Sequence, residues 1–208
     1  FMSGNGHFLA RVSGEVKGNV TLRKQQYRIS DNTEQSIKLA RNFITGKVYN
    51  CRWVLERAVR DYSLRIDTDS IKKKSKILYQ SLEKIRTCKT SAQLLGLEGE
   101  AAAVYFSVFD ELILQQKEDF TFQGRNRRPP LDNINAMLSF AYSLLTGMCG
   151  SALESVGLDA YVGFFHTDRP GRISLALDIM EELRSIMADR FVLTIINKRI
   201  IKKSHFIQ

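Results

Sequence analysis

Residues 33–59, TEQSIKLARNFITGKVYNCRWVLERAV, decide the fold class. Ile37, Ala40, Phe43 and Ile44 recur at intervals of three and four, and Trp53, Leu55, Ala58 and Val59 continue the stripe past Lys47 and Val48. That is the period of a helix with one apolar face, and the polar run SDNTEQ before it supplies a start. The same period returns downstream. Ile71, Ile77, Leu78, Leu82 and Ile85 form a second stripe from about Asp69, backed by Lys72, Lys73, Lys74, Lys76 and Lys84. Thr90, Ser91 and Gln93 resemble helix starters. A helix is expected from Leu94 to Gln115, with Gly96 and Gly99 marking a break or a close contact near its beginning. After the loop TFQGRNRRPPLD, Asp132 can cap a helix over 133–148, followed by another from Ser151. Residues 157–171 form a glycine- and proline-rich loop, 173–188 is again helical, and 191–196 fits a strand or a helix.

The first 20 residues differ. Gly4, Gly6, Gly14 and Gly18 punctuate the β-prone runs HFLARVSG and VKGNVTL, which read as one or two strands. An isolated pair is marginal alone, so these strands are expected to end a β-domain that is mostly missing. Phe1 ahead of Met2 likewise suggests a piece of a longer protein.

Composition narrows the class. Of 208 residues, 44% are hydrophobic and 25% charged, as in an ordinary globular protein. No apolar run is expected to be long enough for a membrane span, and the start lacks the pattern of a signal peptide. Cys51, Cys88 and Cys149 stand far apart without a CxxC pair, which argues against thiolate zinc and a disulfide framework and for a reducing cytoplasm. The net charge of +9 is concentrated in residues 1–90, where 19 Lys and Arg face 8 Asp and Glu. A basic half beside a slightly acidic one fits a nucleic-acid binder whose catalytic acids lie in the second half.

Those acids have a plausible centre. His166 lies in GFFHTDRPGR, just before a helix on which Asp178, Glu181 and Glu182 fall at i, i+3 and i+4 and can share a face. Such carboxylates are ordinarily a solvated face. In GLEGEAAAVYF, however, Glu98 sits between glycines and ahead of Ala101, Ala102 and Ala103, small residues that let another helix approach and place Glu98 inside; Glu100 should point outward. A buried carboxylate needs a counter-charge or a cation. One imidazole with carboxylate oxygens suits Mg²⁺ or Mn²⁺ better than zinc. No GxxxxGK phosphate loop is present.

Four stretches in order, LLGLEGEAAAVYF, RRPPLDNINAMLSFAYSLL, GLDAYVGFFH and RISLALDIMEELR, resemble the CRISPR-associated Cas1 endonuclease/integrase family, in the form found with type I-C systems. The resemblance spans nearly the whole chain. It implies a mainly α protein: a helical catalytic domain over 31–208, preceded at 1–30 by a short remnant of the N-terminal β-domain and its linker. It further implies that Glu98, His166 and Glu181 are metal ligands, with Asp178 a supporting acid, either ligand or orienting group. Glu181 stands where many members carry aspartate. The β-domain of the family forms a homodimer, and the enzyme works with the small Cas2 protein to insert captured double-stranded DNA into a CRISPR array.

For DNA contact, Arg125, Arg127 and Arg128 beside the Pro-Pro turn are the stronger candidates; Lys72 and Lys73, with Lys74 and Lys76, read equally as a solvated face. Asp132 and Asn135 could instead cap and brace that loop. Tyr105, Phe106, Phe140 and Tyr142 read as core. Two rivals are a non-catalytic helical DNA-binding module and a metal phosphohydrolase acting on nucleotides.

Overall fold

The structure, a computed structural model, describes residues 20–206. Within them the chain forms α1 (Val20–Asp31), α2 (Thr33–Tyr62), α3 (Thr68–Thr87), α4 (Ser91–Phe106), α5 (Asn133–Ser155), α6 (Ser174–Arg184) and α7 (Arg190–Asn197). Short 3₁₀ turns lie at Phe109–Leu112 and Lys203–His205, and a π turn over Ser185–Asp189 joins α6 to α7. No strand occurs among the described residues.

The axis is α2, which packs against α1, α3, α4, α6 and the π turn. It starts at Asn32, whose side chain accepts from the Gln35 backbone N–H. Its buried residues Ile37, Ala40, Ile44, Lys47, Cys51, Val54 and Ala58 alternate spacings of three and four, and the rest of the bundle closes on that seam. Trp53 is not part of it: the ring is 46% exposed, edge-on to Tyr49 with Arg52 over its face. Gly46 lets α6 come close, since a Cβ there would lie 2.7 Å from Glu182 Cγ. Asn50 Nδ2 then donates to the Glu182 carbonyl.

Several expected boundaries move. Val20, Thr21 and Leu22, read as β-prone, begin α1; the rest of the expected β remnant lies outside the described residues. Helix α1 docks on the helical domain through Gln26, whose Nε2 donates to the Asp159 and Val162 carbonyls while Oε1 accepts from the Asp159 N–H. Helix α4 stops at Phe106 instead of running to Gln115, because Phe106, Phe109 and Phe122 stack together while Asp110 accepts from the Phe122 N–H. Gly96 and Gly99 face open space inside an unbroken helix, so neither a break nor a close contact exists there. Helix α5 is one helix, not two, and residues 191–196 are helical. Contrary to the sequence expectation, α5 is long and apolar enough to cross a bilayer. One face of it (Ile134, Leu138, Leu145) is core, whereas Phe140, expected inside, is 67% exposed.

Removing the Gln26 side chain strips three hydrogen bonds from the loop that leads to His166. Gln26→Ala should cost about 2 kcal/mol in urea unfolding; a change below about 0.5 kcal/mol would mean that α1 does not hold that loop.

Candidate active site

The centre is an ion cluster under the seam of α2. Lys47, only 3% exposed, directs its ammonium at Glu98 Oε1 on α4 and at Glu181 Oε2 on α6, the latter at 2.6 Å. Arg184, one turn after Glu181, holds the same carboxylate with NH1 at 2.9 and 3.1 Å. Burial pushes the Glu181 carboxyl up, but Arg184 and Lys47 outweigh it and hold the group at about 2. Behind Arg184, the Tyr142 ring lies 4.4 Å from the guanidinium, and the Tyr142 hydroxyl donates to Asp189 Oδ1. Asp189, presented by the π turn, is wholly buried, and burial raises its carboxyl. π turns often sit where a helix must re-aim side chains at a functional site.

His166 is held by a different device. Asp178 is fully buried in the second turn of α6 and accepts from the backbone N–H groups of Phe164, Phe165 and His166, and from His166 Nδ1 at 2.7 Å. Both of its oxygens are turned to the loop and to the imidazole, an arrangement that orients His166. With Nδ1 engaged, the remaining nitrogen, Nε2, is the one available for a ligand. Gly163 is required by the closeness of the loop to α6: a Cβ there would lie 2.8 Å from Ser174 Cβ and 3.0 Å from Asp178 Oδ2.

His166 and Glu181 line one cleft of about 840 Å³, walled by Arg125, Arg127, Arg128, Arg169 and Arg172. Glu98 lines an adjoining cleft of about 560 Å³ that shares Arg125, Arg127 and Arg184. Of the sequence-predicted residues, Glu98 and Glu181 are therefore joined through Lys47, and His166 lines the same cleft as Glu181. Among the described residues, however, no three His, Cys, Asp or Glu side chains are already gathered as a metal cage. Glu100 is exposed, as expected, and Glu182 lies against α2.

The basic candidates separate. Lys72 and Lys73 are exposed on α3 and line neither cleft. Arg127 and Arg128 are exposed at the cleft wall. Arg125 braces it, donating to Asn135 Oδ1 and Ser139 Oγ and lying over the Tyr142 ring. Asn135 completes that brace by donating to the Gly124 carbonyl and to Asp132, the cap of α5.

Sequence reasoning missed Lys47, Arg184, Tyr142 as a polar group, and Asp189. A signal existed for Lys47: it interrupts an apolar seam at a position where the helical period demands a core residue.

The family model for CRISPR associated protein Cas1 matches residues 1–208. The chain belongs to the Cas1 family. A CRISPR-associated endonuclease Cas1 from Chlorobaculum tepidum is 47% identical over 206 residues, 99% of this chain and 60% of that protein. Among solved structures, a casposase bound to its integration product superposes with a TM-score of 0.76 at 31% identity, covering 91% of this chain and 51% of the other. A partial Cas6-RT-Cas1–Cas2 complex gives 0.79 at 26% identity, covering 95% and 57%. The chain thus spans about 60% of the length of the Cas1 relative it matches, and it has the fold of the helical part of Cas1 proteins.

The Glu181 environment predicts a pH dependence. Its carboxyl lies near 4.5 in the unfolded chain and at about 2 in the folded one. The stabilisation is complete above about pH 5 and is lost as pH falls towards 2, roughly 3 kcal/mol in all. Glu181→Gln should remove that part of the acid limb in urea denaturation across this range; an unchanged limb would contradict the charge assignment.

Proposed function

We propose that this chain is the catalytic part of a divalent-metal-dependent DNA endonuclease/integrase of CRISPR adaptation. One observation carries the reading: two carboxylates from separate helices converge on one cationic point, beside an oriented imidazole in an arginine-walled cleft.

The residues fit a metal. Glu98 and Glu181 already share a cation, the Lys47 ammonium, and His166 presents its free nitrogen to the cleft that Glu181 lines. These three would hold Mg²⁺ or Mn²⁺, which would polarise a phosphoryl oxygen and stabilise charge at phosphorus. The chain's own groups do the rest. Arg184 keeps Glu181 ionised, and Asp178 fixes the His166 ring. Arg127 and Arg128, with Arg169 and Arg172, hold the backbone of double-stranded DNA along the cleft. The reaction is transesterification: a 3′-hydroxyl of the incoming DNA attacks a phosphodiester of the array. A new phosphorus–oxygen bond forms, and the existing bond to a 3′-oxygen breaks.

In the whole protein, residues 1–30 would link this domain to an N-terminal β-domain that forms the homodimer. A Cas2 protein would be the working partner, and the cytoplasm the compartment. The nearby Cas1–Cas2 complex and the casposase with its integration product support DNA and Cas2 as partners. A purely DNA-binding module gives no reason for buried acids at the cleft.

The test uses the full-length protein with Cas2 and a labelled DNA carrying the array sequence. Glu98→Gln, His166→Ala and Glu181→Gln should each lower metal-dependent strand joining by more than roughly 100-fold while DNA binding persists. Joining at the wild-type rate in any of the three would overturn its assignment, and in all three the reading itself.

A further inference from the structure

The point where Glu98 and Glu181 meet is taken by a cation of the chain's own. We propose that Lys47 is a displaceable counter-cation, occupying the metal position in the metal-free protein and vacating it when a divalent ion binds. The inference rests on the metal reading of Glu98, His166 and Glu181.

Its basis is threefold. Lys47 occupies a core position of the α2 seam at 3% exposure, where an apolar residue would pack, yet it carries a charge. Burying an ammonium is costly unless paired, and among the described residues the Lys47 ion pairs are with Glu98 and Glu181. Those two acids come from different helices, α4 and α6; Arg184 serves Glu181, and Lys47 is the cation that joins Glu181 to Glu98. The second basis is chemical. Lysine presents a point charge on a flexible four-carbon stem, unlike the rigid fork of arginine. Its head can withdraw by bond rotation while α2 stays in place. The neighbouring Arg184 cannot do the same: its guanidinium is locked between Glu181 and the Tyr142 ring. The third is electrostatic. An ammonium and a divalent ion a few ångströms apart repel strongly at a site this little exposed, so both cannot stay between the same two oxygens. Glu181, which the ammonium contacts, itself lines the larger cleft, so the pair stands at the cleft's edge.

Two consequences follow with opposite signs: removing the Lys47 charge weakens the metal-free fold and strengthens metal binding. Mn²⁺ affinity and thermal unfolding with and without Mn²⁺ are to be measured for the wild type, Lys47→Met and His166→Ala. Metal-free Lys47→Met should melt roughly 10 °C lower than wild type. It should bind Mn²⁺ on the order of tenfold more tightly and gain more in melting temperature from the ion. Equal or weaker Mn²⁺ binding by Lys47→Met, with binding still impaired in His166→Ala, overturns the role of Lys47 and leaves the metal site standing. Wild-type affinity in His166→Ala removes the metal reading, and this inference with it. Should Lys47→Met fail to fold, a Mn²⁺-bound wild-type structure decides. Lys47 Nζ is expected more than about 4 Å from both carboxylates; an ammonium still between them overturns the proposal.

Discussion

A charged lysine in the seam of the longest helix constrains the rest of this domain. The Lys47 ammonium cannot be solvated where it lies, so α4 and α6 must each bring a carboxylate to it. Bringing Glu181 inward in turn requires Arg184, and burying Arg184 requires the Tyr142 ring and Asp189 behind it. The π turn that follows α6 presents Asp189 to this chain of contacts. Four helices and the turn are thus tied to one charge network, each link present because the previous one would otherwise be left unpaired.

The same network separates two jobs that a list of acidic residues would merge. Glu98 and Glu181 face a cation, whereas Asp178 turns both oxygens to the loop and to the imidazole. The two kinds of acid are three residues apart on one helix. What distinguishes them is which element closes over each: the loop over Asp178, α2 over Glu181. Around them the arginines divide similarly, Arg125 bracing the cleft wall and Arg127 and Arg128 standing free along it.

Much of this could be read from the sequence where a local rule decides the structure. The period of α2, the Thr90 and Asp132 caps and the loop carrying His166 follow from spacing and capping alone. Where tertiary packing decided, the reading failed. Nothing local ends α4 at Phe106; the stacked phenylalanines do. Gly147 and Gly150 permit a break in α5 but do not compel one, and the β-prone Val20–Leu22 became helix because Gln26 docks α1 on a distant loop. The acids of the candidate site were legible by type and order. Their counter-cation was not, because a lysine in an apolar period reads as an interruption until its partners, about 50 and 130 residues later in the chain, are placed against it.

Lys47 and Glu181 hold each other in the core by charge, with Arg184 sharing the Glu181 carboxylate. A double-mutant cycle measures this directly, comparing urea-unfolding free energies of the wild type, Lys47→Met, Glu181→Gln and the double variant at neutral pH without metal. A coupling of about 2 kcal/mol or more is predicted. Additive single effects, with a coupling below about 0.5 kcal/mol, would contradict it.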